Sequence, residues 1–116
     1  MELADRTLIV AGGLAGAAGV ALSAYAVHAG GGNLGTAAQF LLFHAPALLA
    51  AGLFARNRLL TLAALFLALG VALFAGDLVL RDMAGYRLFP MAAPVGGSLM
   101  LLAWLAVAGS AFAGRR

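Results

Sequence analysis

Residues 7–27 read TLIVAGGLAGAAGVALSAYAV, a run without a charged side chain. As a helix rising ~1.5 Å per residue, a run this long covers the ~30 Å hydrocarbon core of a bilayer. Three further apolar runs follow. The predicted spans are about 7–29, 36–55, 59–80 and 90–113. They are expected to be helices, because backbone groups in lipid must be satisfied internally and no segment alternates with period two. The joins are short, so consecutive helices must be antiparallel neighbours. The expected architecture is all-α: one domain, an integral membrane up-and-down bundle of four transmembrane helices.

Composition agrees with this reading. The 116 residues are 65% hydrophobic and only 9% charged, with a mean hydropathy of +1.06. A water-facing domain carries about 25% charged residues, so the solvent for most of this chain is lipid. There is no cysteine, which excludes disulfides, thiolate metal ligation and cysteine nucleophiles. The net charge of +3 would suggest nucleic acid in a soluble protein. Here the basic residues are arginines set singly or in pairs between apolar runs, which points to membrane orientation and no nucleic acid. Arg6, Arg56, Arg58, Arg115 and Arg116 fall on one side of the bundle, against Arg81 and Arg87 on the other. The excess predicts both termini in the cytoplasm. AYA at 24–26 resembles a signal-peptidase site, but the leading MELADR is not basic and the apolar run exceeds a signal core. The first span is expected to be retained.

Helices in lipid associate through small residues that let backbones approach. Gly12 and Gly16 have the GxxxG spacing, with Gly19 nearby, and Ala93 stands four before Gly97 in the fourth span. Packing within the bundle is the first expectation for them, a homo-oligomer face the second. An offset of 51 lays GVALSA (19–24) over GVALFA (70–75), which hints at a duplicated helical hairpin.

Few residues could carry chemistry. GGGNLG (30–35) matches the dinucleotide spacing but lacks the preceding strand, the βαβ unit and the following acid. It reads as a turn, where glycines and Asn33 tolerate positive φ. Asp77 and Arg81 are i, i+4 and form a structural ion pair on one helix face. His44 lies about eight residues inside the second span and must find hydrogen-bond partners in the bundle. His28 belongs at the end of the first span. Straight helices separate the two histidines by roughly 10 Å in depth, too far to share a metal or haem. No cofactor or metal is expected.

At this point the residues resemble a family. GVALSAYAVHAG (19–30), FHAPALLAAGL (43–53), LGVALFAGDLVL (69–80) and APVGGSLMLLAWLAVA (93–108) are similar, in order, to four segments of the domain of unknown function 423 family. That family consists of small bacterial membrane proteins, with eukaryotic transmembrane protein 256 as a related group. The resemblance implies a multi-pass protein of the bacterial inner membrane with no established activity. His28, His44 and Pro94-Val95-Gly96-Gly97 match recurrent positions. Three departures stand out: a shorter first connection, Leu41 in place of a common glutamine, and Asp77 in place of a serine.

With that topology, His28, His44, Asp77, Tyr25, Ser98, Gly96 and Gly97 all fall in the outer half, as a candidate polar pocket. The inner half reads as almost purely apolar. The expected function is a non-enzymatic bundle that binds a membrane partner or lipid through this pocket. The alternative is a small transporter or channel using His44 and Asp77 as proton or ion relay groups.

Overall fold

The computed structural model describes residues 2–29 and 32–115. Among them are four helices: α1 (Leu3–Ala29), α2 (Gly32–Phe54), α3 (Arg58–Met83) and α4 (Ala92–Gly109), the last continued by a 3-10 turn at Ser110–Phe112. All four are long and apolar enough to cross a membrane. The protein is a multi-pass membrane protein, with a long axis of 46 Å.

The helix ends differ from those read off hydropathy, and each difference has a cause. Hydropathy marks where the apolar run ends, but a helix continues wherever its end groups find partners. Thus α1 begins at Leu3, with the acidic Asp5 in its first turn, where the helix dipole favours negative charge. Gly32, Asn33 and Gly35 open α2 instead of forming the expected turn; Gly30 and Gly31 lie outside the described residues, as does Arg116. Asn33 is therefore helical, without the positive φ expected of it. At the other join, Gly85 and Met91 take positive φ, and α4 starts two residues later than predicted.

α1 packs along α2, α2 along α3 and α3 along α4, with a lighter contact between α1 and α3. Among the described residues α1 and α4 share at most a marginal contact, so the bundle is open along that side. The core runs between α2 and α3, where Leu48, Ala51, Ala64, Leu67 and Val71 are buried with Leu8 of α1 and Met100 and Ala103 of α4.

Glycines set the helix separations. A Cβ on Gly12 would meet Leu49 Cγ at 2.9 Å, the Ala45 carbonyl at 3.0 Å and Leu49 N at 3.1 Å. A Cβ on Gly70 would meet Met100 Cγ at 2.9 Å, the Gly96 carbonyl at 3.0 Å and Met100 N at 3.0 Å. The two hairpins thus share one packing seat, atom for atom. The sequence offset pairs Gly70 with Gly19, whereas the contacts pair it with Gly12, two turns away along α1. Gly19 is itself seated on Leu42. Gly16, the expected partner of Gly12, makes only an ordinary contact with Ala45. The tight seats on α1 fall at Gly12 and Gly19, seven residues or about two turns apart, and not at the GxxxG spacing. Ala93 is buried. Gly52 has a tight seat of its own against the backbone of Asp5 and Ile9.

The end carrying both termini holds buried polar groups the sequence reading missed. Asn57 caps α3 by accepting from Leu60 N at 2.9 Å, and its amide donates to the Ser110 carbonyl at 3.0 Å. Asn57, Thr61 and Ser110 are all buried. The expectation of an almost purely apolar inner half is corrected accordingly. Buried backbone carbonyls at a helix end need donors, and Asn57 supplies one.

Candidate functional site

Besides the buried Asn57, Thr61 and Ser110, two further polar centres lie within the bundle among the described residues. The first is at mid-span. His44 is 5% exposed, on the thirteenth residue of α2, about 18 Å from its start. Trp104 Nε1–H of α4 donates to His44 Nε2 at 3.0 Å, and His44 Nδ1 lies 2.7 Å from the Phe40 carbonyl. An indole nitrogen only donates, so Nε2 must accept and the imidazole proton sits on Nδ1, donated to Phe40. Both ring nitrogens are engaged. The pair links α2 to α4, helices whose backbones barely touch.

The second centre is at the end carrying the two hairpin joins. Asp77 is 0% exposed. Arg81 Nη2 lies 3.2 Å from its Oδ2 and Arg87 Nη2 3.5 Å, while Leu88 N–H donates to Oδ1 at 2.9 Å. One carboxylate thus holds the 84–91 connection against the end of α3. Asp82, one turn on, does the same for α2: Asn33 donates to Oδ1 at 2.9 Å and Leu34 N–H to Oδ2 at 3.2 Å. It serves as an N-cap supplied from a neighbouring helix.

His44 and Asp77 are not joined. Phe40 stacks on His44, with centroids 6.0 Å apart, and tilts against Phe74 at 4.6 Å. By chain position these rings lie at the level between the two polar groups. The remaining residues of the expected pocket are dispersed. Tyr25 and His28 are exposed on the last turns of α1. Gly96 is buried against Gly70 and Phe74 as a packing contact. Gly97 and Ser98 line an open groove of about 590 Å³ between α3 and α4, together with Phe74, Arg81, Arg87 and Leu101. A narrower groove of about 330 Å³, almost wholly apolar, runs between α2, α3 and α4 below Trp104. Among the described residues no three His, Asp or Glu side chains converge as metal ligands.

The residues missed from sequence are Trp104, Arg87, Asp82 and Asn57. Trp104 left one signal: a lone indole N–H in an apolar helix needs an acceptor, and His44 is among the few available. Arg87 and Asp82 left none, because their partners depend on how the joins fold.

His44→Ala is expected to lower stability by about 1 kcal/mol, the scale of an interhelical hydrogen bond in a membrane protein, and His28→Ala by nothing measurable. Unfolding in mixed micelles, followed by the fluorescence of the single tryptophan, reads both. Equal midpoints for the two variants would contradict the structural role of His44.

The protein is thus a multi-pass helical membrane protein whose polar side chains tie helices and joins together. A family profile described as protein of unknown function (DUF423) matches residues 15–97. The chain belongs to that family. No solved structure matches it.

Proposed function

We propose that this protein is a non-enzymatic bundle of the bacterial inner membrane, with both termini in the cytoplasm, that binds a membrane component: a lipid, a protein partner or a second copy of itself. The observation that carries this reading is where the polar groups are used. His44, Asp77, Asp82 and Asn57 are each engaged in a contact between helices or between a helix and a join. Catalysis needs a nucleophile or base aimed at a space a substrate can enter, and none of these four is so placed. A relay would need His44 to exchange its proton, and both its nitrogens face bonded partners. What the molecule offers outward are grooves along α3 and α4 and broad apolar helix faces. The excess of arginine at the terminal end supports the orientation.

The test is gentle purification of the tagged chain from its native membrane, with mass spectrometry of everything retained. Reproducible recovery of a lipid class or a membrane protein is expected. Recovery of neither, with the chain monomeric, would overturn the reading.

A further inference from the structure

We propose that the groove between α3 and α4 binds one anionic phospholipid, its phosphate on Arg81 and Arg87 and an acyl chain lying over Gly97 toward Phe74 and Leu101. The assignment deepens the binding role argued above and rests on it.

Three features of the groove specify this occupant. The first is charge. Two guanidinium groups face a single carboxylate, Asp77, and each has more N–H donors than that carboxylate can take. Asp77 is fully buried and Asp82 is taken up by Asn33 and Leu34 of α2, whereas the Arg81 and Arg87 side chains are 32% and 42% exposed and line the groove, so the groove wall carries the cations. A planar guanidinium pair suits phosphate oxygens.

The second is depth. Arg81 lies two residues before the end of α3 and Pro94 is the third residue of α4, which puts this end of the groove at the level of lipid headgroups. Phe74 is seven residues below Arg81 and Leu101 seven below Pro94, about 10 Å deeper on both walls. The groove is therefore cationic at its mouth and apolar below, the polarity profile of a phospholipid in its own leaflet.

The third is room. A Cβ on Gly97 would meet only Phe74 Cδ1, at 3.9 Å, so the glycine leaves a channel that its neighbour Gly96, locked against α3, does not. A free phosphate would use the arginines without this channel. Zwitterionic lipid would use the channel with less gain from the charge.

The experiment is native mass spectrometry of the detergent-released protein with added phosphatidylglycerol, phosphatidylcholine or inorganic phosphate. Wild type should retain one phosphatidylglycerol, about fivefold more tightly than phosphatidylcholine, a ratio that matches one net charge at a membrane surface. Arg87→Gln should lower that preference about fivefold while leaving Arg81 to neutralise Asp77. Gly97→Leu, which keeps every charge and fills the channel, should lower retention of both lipids. Circular dichroism and elution volume establish that each variant is folded; Arg87→Lys, which keeps the charge, should keep the preference, and if Arg87→Gln does not fold, Gly97→Leu still tests the site. Equal retention of the two lipids, full retention by folded Gly97→Leu, or displacement by excess inorganic phosphate would each overturn the assignment. Should the groove fail these tests while a lipid or protein still accompanies the chain from native membrane, only this site is wrong and the binding role stands.

Discussion

Gly96→Ala is expected to destabilise the bundle more than any other substitution of one methyl group. The added Cβ would lie 2.7 Å from the Gly70 carbonyl oxygen and 2.7 Å from Phe74 N, with Leu73 Cβ at 3.1 Å. The obstructing atoms are backbone, so no rotamer change relieves the clash and α4 must move away from α3. Overpacking costs about 1–3 kcal/mol where side chains can yield, and the upper end applies here. Separation would also break the reciprocal seat of Gly70 on Met100. The control is Gly13→Ala, whose Cβ meets nothing within 4 Å in the same kind of helix. It should be neutral. Unfolding midpoints in mixed micelles, read by Trp104 fluorescence, compare the two. Similar midpoints would show that the α3–α4 contact is looser than described.

Asp77→Ala is expected to cost about 2–3 kcal/mol and to free the 84–91 connection. Breaking a fully buried charge pair costs about 3–5 kcal/mol because the remaining charge is stranded. Here both arginines are about a third or more exposed and can turn toward water, which lowers the figure. The Leu88 N–H cannot compensate so easily, since its acceptor is gone. Asp77→Asn should fall between wild type and Asp77→Ala, because a carbonyl oxygen remains for Leu88. The connection itself gives a second readout. Trypsin cleavage after Arg87 should accelerate in Asp77→Ala, less so in Asp77→Asn, and little in wild type. Unchanged cleavage in all three would mean that Leu88 and the arginines are held by something other than this carboxylate.

The helices were legible in the sequence because lipid imposes one requirement at every position along a span. Each backbone group must be bonded within the helix and each side chain must tolerate hydrocarbon, so a run such as 7–27 needs no tertiary information to be read. Ion pairing at i, i+4 is also local, and the Asp77–Arg81 contact followed from spacing alone. Family membership was legible in the ordered motifs for the same reason: they lie in the spans.

The site was legible only in part. His44 was placed within the bundle by the cost of leaving an imidazole unbonded in lipid, but that argument does not name the partner. Trp104 is sixty residues away, and its indole reaches His44 because α2 and α4 both pack on α3. Gly12 and Gly16 are equivalent in sequence, and only the rotation of α1 against α2 decides that Gly12 and Gly19 take the close contacts. The pocket drawn from seven residues dissolved for a related reason. The level and direction of each side chain depend on where its helix begins and how it is rotated, and these put His44 at mid-span and Asp77 near the joins.

Sequence by itself therefore determined the solvent, the number of spans, their antiparallel order and the family, all of which follow from hydropathy and local spacing. Tertiary structure alone decided the rest: His44 bonded to Trp104, Arg87 and Leu88 gathered on Asp77, Asp82 capping another helix, and a cationic mouth above an apolar channel at Gly97. These depend on helix rotation and on the path of short joins. In an almost uniformly apolar chain those are set by a few close glycine seats and buried polar contacts, not by any periodicity that a sequence displays.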